Sequence, residues 1–154
     1  MNSDFKELLN ILNEEKAKYL IVGGYAVIEH TEPRYTKDLD IWISYDLKNA
    51  EKVFRALKKF GAPLANIKVE DFTVPSLVYQ MGRPPARIDV IMSVKELDFE
   101  TSWQNKVESK YDDVTVYFLS LEDLLKNKES VGRPQDLIDA SNLRLAQILK
   151  NKSK

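Results

Sequence analysis

The chain has 154 residues, with 23 Lys plus Arg against 24 Asp plus Glu and a formal net charge of -1. This length predicts one domain over residues 1–154, and the balanced charge argues against a globally basic surface for nucleic acid or an anionic membrane. The chain has no Cys and one His, His30, which excludes disulfides, thiolate nucleophiles and multi-His metal sites. Any catalytic metal would need mainly carboxylate ligands, and these favour Mg²⁺ or Mn²⁺.

The N-terminus lacks the basic start and the apolar stretch of a signal peptide. No apolar run approaches the ~20 residues of a membrane span. We therefore expect a cytoplasmic protein that does not bind a membrane.

The first part of the chain predicts a helix, a buried strand and a second, shorter helix. Apolar residues at helical spacing place the first helix at about residues 3–16. The apolar run at residues 19–22 is followed by Gly23 and Gly24, as expected of a buried strand that ends in a tight turn. Residues 25–29 then predict a short helix.

The middle of the chain predicts two strands and a helix. Alternation over residues 38–44 predicts a strand, and Asp46 is placed to cap a helix that Gly61 ends. Residues 62–81 contain two prolines among strand-like pieces, and residues 87–92 predict another strand.

The last part predicts a hairpin and two helices. Strands are expected near residues 103–109 and 114–119, on either side of a short turn. Ser120 is placed to cap the next helix, and Pro134 to begin a final helix that runs to about Leu149. This order of elements indicates an α+β (α/β mixed sheet) fold, with the sheet flanked by helices and followed by C-terminal helices.

The stretch from Gly23 to Asp40 is the most informative for function. Glycines after a buried strand let the backbone turn sharply and let a phosphate approach exposed N–H groups, and the helix that follows presents its anion-favouring N-terminus. Asp38 and Asp40 share one face of their strand. Two adjacent carboxylates repel each other unless a cation binds between them.

A third acid extends this pattern. Asp89 stands between two apolar residues in a predicted strand, where a buried carboxylate needs a partner or a role. If this strand lies beside the strand of Asp38 and Asp40, three carboxylates converge. Such a set can hold two metal ions for in-line phosphoryl chemistry.

Each part of the pattern also has a plainer explanation. The Gly-Gly pair could form a turn only, and an Asp-x-Asp sequence at a strand start is often a solvated strand end or a helix cap. Asp89 could simply pair with a nearby arginine: Arg34, Arg83 or Arg87. The joint order of strand, Gly-Gly, helix, Asp-x-Asp strand and third acid is what favours a functional site.

Two further residues near the pattern fit structural roles better than functional ones. His30 stands at the predicted end of a helix, although the loop after it leads to the acids. Trp42 shares the face of the two strand acids, where it could line a base pocket, but a large aromatic side chain on a strand fits the core better.

The joint pattern resembles the signature of the DNA polymerase β-like nucleotidyltransferases. Gly23-Gly24, a 13-residue interval and Asp38-Leu39-Asp40-Ile41 match its first block, and Ile88-Asp89-Val90 matches its third acid. The residues around the first block, and a second block over 121–139, resemble a small stand-alone bacterial and archaeal branch that includes the AbiEii-type toxin nucleotidyltransferases. The resemblance covers about residues 19–143.

The resemblance implies transfer of a nucleoside monophosphate from a nucleoside triphosphate to an acceptor, with release of pyrophosphate. Asp38, Asp40 and Asp89 would be catalytic and would bind Mg²⁺ or Mn²⁺, and Asp89 would also help to activate the acceptor hydroxyl. Lys128 would be catalytic by stabilising the charge of the triphosphate, and Asp136 would orient it or a neighbouring arginine. The residues implied in binding the nucleotide are Gly23, Gly24, Arg34, Thr36, Arg133 and Asp136.

The chain also departs from the family pattern. The residue after the Gly-Gly pair is often small or polar in such enzymes, whereas here it is Tyr25. A length of 154 residues leaves little room for an acceptor-binding domain. The acceptor (RNA, protein or a small molecule) therefore stays open, and a partner such as an antitoxin protein could supply it.

Two other functions stay open at this point. One is a catalytically silent module of the same fold that binds a nucleotide or a partner. The other is a nuclease, which also uses clustered acids and Mg²⁺, although a nuclease has no need of a Gly-Gly cradle for a triphosphate.

Overall fold

The computed structural model describes residues 1–31, 38–82 and 87–152, and its strands form a six-stranded sheet. In chain order the strands are β1 (Tyr19–Val22), β2 (Leu39–Ile43), β3 (Val78–Met81), β4 (Ile88–Ile91), β5 (Val107–Tyr111) and β6 (Val114–Phe118). Their order across the sheet is β3-β4-β2-β1-β6-β5. β2 is antiparallel to β1 and parallel to β4, β1 is parallel to β6, and the outer strands β3 and β5 are antiparallel to their neighbours. The sheet is therefore mixed, as predicted.

Six α-helices and one short 3₁₀ helix accompany the sheet within the described residues. They are α1 (Ser3–Glu14), α2 (Gly23–His30), α3 (Leu47–Phe60), the 3₁₀ helix (Val69–Thr73), α4 (Phe99–Gln104), α5 (Leu121–Val131) and α6 (Pro134–Lys152). None of these helices is both long and apolar enough to cross a membrane.

Local sequence signals set several helix ends. The Asp46 side chain accepts a hydrogen bond from the Asn49 backbone N–H at 2.9 Å and so caps α3. Gly61 ends that helix in the left-handed conformation, with a φ of 89°. Ser120 caps α5 by accepting from the Asp123 N–H at 3.2 Å. The predicted caps and the Pro134 start of α6 are thereby confirmed.

The core lies between the sheet and the helices, with β1 and β2 at its centre. All four residues of β1 are buried, and so are four of the five residues of β2. Strands covered on both faces read as continuous apolar runs, which explains the Tyr19–Val22 sequence. The helices contribute apolar faces, and each Leu or Ile buried in this way stabilises the fold by about 1.5–3 kcal/mol. The buried apolar residues of α1 and α3 are Phe5, Leu8, Leu9, Leu12, Ala50, Val53, Ala56 and Leu57.

The prediction of a strand from residue 103 is wrong, because Trp103 lies in α4 and β5 begins only at Val107. The helix forms because the Asp98 side chain accepts from the Thr101 N–H at 3.1 Å, which is an N-cap signal. Trp103 then stacks on Phe99 with ring centroids 6.0 Å apart.

Candidate active site

β1 passes into α2 without an intervening loop, since the strand ends at Val22 and the helix begins at Gly23. Val22 occupies the N-cap with an apolar side chain and makes no capping hydrogen bond. The helix N-terminus therefore offers backbone N–H groups and the positive end of its dipole to an anion. The structure thus starts α2 two residues earlier than the sequence predicted.

Gly23 is required by two features at once. Its φ is +67°, in the left-handed region that L side chains rarely adopt, and a Cβ on it would lie 2.2 Å from Asp40 Oδ2. Any larger residue would therefore clash with the carboxylate. The Gly-Gly pair does more than turn the chain: it lets the start of α2 lie directly against Asp40.

The acids of the two parallel strands lie side by side. β2 and β4 pair in a register that sets Asp40 opposite Asp89, and Asp38 directly precedes β2. Asp89 is only 9% exposed. The adjacency on which the sequence prediction depended is therefore present in the fold.

Burial, together with the negative charges of Asp89 and Asp38, raises the pKa of Asp40 to about 6. A carboxylate that is removed from water and lies near other carboxylates resists ionisation. The three acids are thus close enough to influence one another electrostatically.

Arg87 holds Asp89 in a two-pronged ion pair. Its Nε donates to Asp89 Oδ1 and its Nη2 to Oδ2, each at 3.0 Å. The nearby carboxylates in turn raise the pKa of Arg87, first through the hydrogen bond with Asp89. Of the three arginines considered as partners, Arg87 is therefore one that pairs, while Arg34 and Arg83 lie outside the described residues.

The three acids suit a divalent metal by their chemistry, because Mg²⁺ and Mn²⁺ prefer carboxylate oxygens. Within residues 1–31, 38–82 and 87–152, however, no group of three or more His, Asp or Glu is arranged to hold a metal ion. Both oxygens of Asp89 accept from Arg87, so this guanidinium would have to turn away for a shared metal to bind. The metal ligands remain a prediction.

A second group of charges joins α5 to α6. Lys128 is 9% exposed, and its Nζ lies 3.3 Å from Asp136 Oδ1 and 3.2 Å from Asp139 Oδ2. Arg133 Nε donates to Asp136 Oδ2 at 2.7 Å. Burial raises the pKa of Asp136, but the hydrogen bonds from Arg133 and Lys128 outweigh it and leave this pKa below the usual 3.8. Asp136 is therefore ionised at neutral pH.

A cavity of about 310 Å³ joins the two groups. It is lined by Gly23, Gly24 and Asp40 from α2 and β2, and by Lys128, Arg133 and Asp136 from the α5–α6 region. A volume of this size falls at the lower end for small-molecule sites. Six of the ten predicted site residues therefore line one cavity, and Asp38 and Asp89 adjoin it through Asp40. Arg34 and Thr36 lie outside the described residues.

The family model of nucleotidyltransferases of unknown function (DUF6036) matches residues 2–151. The chain belongs to this nucleotidyltransferase family. A comparison with curated protein sequences gave no match.

Among solved structures, this nucleotidyltransferase is similar to the crystal structure of the lincosamide antibiotic adenylyltransferase LnuA with lincomycin bound. The TM-score is 0.58 at 18% sequence identity, and the match covers 94% of this chain and 96% of that chain. At this identity the similarity shows the fold alone, which confirms the predicted nucleotidyltransferase fold. The narrower resemblance to AbiEii-type toxins stays a prediction.

Two residues of this nucleotidyltransferase escaped the sequence prediction of the site. Asp139 is 1% exposed and binds Lys128, and its spacing of three from Asp136 on one helix was the available signal. Lys95 lines the cavity from the loop after β4, and no motif pointed to it.

His30 and Trp42 occupy structural positions, as expected. His30 is the last residue of α2, and its Nε2 donates to the Leu119 carbonyl at 2.8 Å. Trp42 is 2% exposed and packs edge-on against Phe99 at 5.1 Å between ring centroids.

Asp40→Asn should flatten the dependence of stability on pH. Native Asp40 keeps its proton up to about pH 6, whereas an unfolded chain releases it near 3.8, so stability falls as pH rises between these values. Asn cannot ionise, so the free energy of unfolding of the variant should be about 2 kcal/mol higher than that of wild type at pH 7.5. Urea denaturation from pH 4 to 8 in EDTA measures this effect. The exposed Asp113→Asn in the β5–β6 turn is the control, and equal pH slopes for wild type and Asp40→Asn would contradict the expectation.

Asp139→Asn should destabilise the protein by about 2–3 kcal/mol at pH 7, because it leaves the buried Lys128 ammonium with one carboxylate in place of two. Urea denaturation measures the loss. A second variant that also carries Lys128→Met should recover part of it, since the unpaired charge is then gone. A loss below about 0.5 kcal/mol, typical of exposed pairs, would show that the network is not buried in solution.

Proposed function

We propose that this nucleotidyltransferase transfers a nucleoside monophosphate from a nucleoside triphosphate to a hydroxyl-bearing acceptor, with Mg²⁺ or Mn²⁺ as cofactor. The observation that carries the proposal is the cavity that joins the Gly-Gly start of α2, the Asp40 carboxylate and the cations of α5 and α6. An uncapped helix start suits phosphate oxygens, and cations on the facing wall suit the rest of a polyphosphate.

Asp38, Asp40 and Asp89 are the residues that would hold the metal. When bound there, Mg²⁺ or Mn²⁺ would neutralise phosphate charge and polarise the phosphoryl group that is attacked. The carboxylate of Asp40 lies against Gly23, so the metal ligands and the N–H groups of α2 would contact neighbouring phosphate oxygens. This proximity is what phosphoryl transfer requires, because its rate depends mainly on positioning and charge stabilisation.

Asp89 would take the proton of the acceptor hydroxyl. The Arg87 guanidinium donates to both oxygens of Asp89 in this fold, and once it turned away an oxygen of this carboxylate could accept the proton. The acceptor oxygen would then form a bond to the α-phosphorus. The bond from that phosphorus to the α,β-bridging oxygen would break, and pyrophosphate would leave with this oxygen. Lys128 and Arg133, held in place by Asp136, would face the leaving group.

One observation favours a second candidate, a catalytically silent module of the same fold. Arg87 occupies both oxygens of Asp89, and the described residues contain no group arranged for a metal ion. A chain that kept this arrangement would bind a nucleotide through α2 and the facing cations without transferring it.

The acceptor is open to three classes. LnuA is named as an adenylyltransferase of an antibiotic, which makes a small hydroxylated molecule one class for this chain. RNA and protein are the other two, and the resemblance to toxin nucleotidyltransferases would fit either, with an antitoxin protein as a partner.

A labelling experiment tests the transfer. Wild-type protein is incubated with each α-³²P-labelled nucleoside triphosphate, Mg²⁺ or Mn²⁺, and separate cellular RNA, protein and small-molecule fractions. One fraction should become labelled with release of pyrophosphate. Asp40→Asn should reduce labelling by about 100-fold or more, since it removes a group that stabilises the transition state, whereas Asp113→Asn should leave it unchanged.

Equal labelling by wild type and Asp40→Asn would refute the proposed site. Nucleotide binding in calorimetry without pyrophosphate release in any fraction would favour the silent module instead.

A further inference from the structure

The third wall of the cavity is a tight turn after β4 that the family signature does not include. Ser93, Val94 and Lys95 line the cavity. The Leu97 N–H donates to the Val94 carbonyl at 3.1 Å, which closes the turn. Glu96 has a φ of +70°, a left-handed conformation that costs energy for a residue other than glycine. The turn therefore has Lys95 near its tip.

Two hydrogen bonds fix this turn against α5. The Asn127 side-chain amide donates to the Lys95 carbonyl at 3.2 Å, and Lys95 Nζ donates to the Ser130 carbonyl at 3.2 Å. The ammonium group is therefore located at the last turn of α5, beside the cavity wall that Lys128 and Val131 also form.

The charges on the cavity wall single out Lys95. Lys128 and Arg133 are held by Asp136 and Asp139, so two positive charges face two negative ones and the network offers little net charge to an anion. The partner of Lys95 Nζ is a neutral carbonyl, and no ion pair to Lys95 is present in the described part of the chain. Among the described residues of the wall, Lys95 is thus the cation whose charge is uncompensated.

We propose that Lys95 binds the β- and γ-phosphates of the nucleoside triphosphate and gives the site its preference for triphosphates over monophosphates. This inference rests on the proposed function, since it assumes that the cavity binds a nucleotide. Lys is suited to the role, because a compact ammonium on a four-carbon stem can turn from the Ser130 carbonyl to a phosphate oxygen. A hydrogen bond from this ammonium to a charged phosphate oxygen is stronger than the one to the neutral Ser130 carbonyl that it replaces. A monophosphate, which has no β- or γ-phosphate, gains nothing from it.

A structural explanation competes with this proposal. A positive charge at a helix C-terminus stabilises the helix, and Lys95 could serve only to hold the last turn of α5. The two explanations differ in what they change: the structural one alters stability, while the proposal alters triphosphate affinity alone.

Calorimetry with non-reactive α,β-methylene analogues of the four ribonucleoside triphosphates, and with the four monophosphates, tests the proposal in Mg²⁺. Lys95→Gln should weaken binding of the triphosphate analogue about tenfold or more and change the monophosphate Kd less than twofold. Lys95→Arg should retain most of the affinity. The control is Lys126→Gln, an exposed lysine on α5, which should bind like wild type. The Tm of Lys95→Gln should match that of wild type.

Three outcomes separate the inference from the proposed function. If wild type binds the triphosphate analogue and Lys95→Gln binds it equally well, the inference is wrong and the proposed function stands. If wild type binds no nucleotide, the proposed function itself fails, and the inference with it. A lower Tm together with equal losses for triphosphate and monophosphate would assign Lys95 a structural role and overturn the inference.

Discussion

The fold is organised around two carboxylates, those of Asp40 and Asp89, that neighbouring parallel strands hold side by side. Burial and, after it, their mutual repulsion raise the pKa of Asp40 and make the arrangement costly without a cation. The surroundings of the pair follow from this constraint. Gly23 has no Cβ to clash with Asp40, and Arg87 compensates Asp89. Proteins retain such costly groups mainly where they serve function.

The Lys128, Asp136 and Asp139 network has a different task. Together with Arg133 it has two positive and two negative groups, and it ties α5 to α6 across a buried contact. A buried ion network fixes geometry more than it adds stability. In this fold it supplies part of the lining of the cavity that the Gly-Gly start of α2 also lines. The uncompensated charge on that wall comes from Lys95, which the turn after β4 carries.

Much of this arrangement was predictable, because it is encoded locally. Strand alternation placed Asp38 and Asp40 on one face, and cap residues such as Asp46 set helix ends. The roles of the site residues came from the family resemblance, and the structure adds that most of them share a cavity. Lys95 was missed because its contact with α5 arises only when the β4 turn packs there. The spacing of Asp139 from Asp136 was visible in the sequence, but its partner Lys128 is set by the packing of α6 on α5. Trp103 was misassigned because the cap at Asp98 outweighed a strand-like composition.

The central proposal is that the cavity lined by α2 and the α5–α6 network binds a nucleoside triphosphate. The most direct test is a crystal structure with Mg²⁺ and a non-reactive nucleoside triphosphate analogue that the protein binds. We expect phosphate oxygens within hydrogen-bond distance of the Gly24 backbone N–H, a metal ion coordinated by Asp40, and Arg87 turned away from Asp89. A nucleotide bound elsewhere on the protein, with the Arg87–Asp89 pair intact and no metal at Asp40, would contradict it.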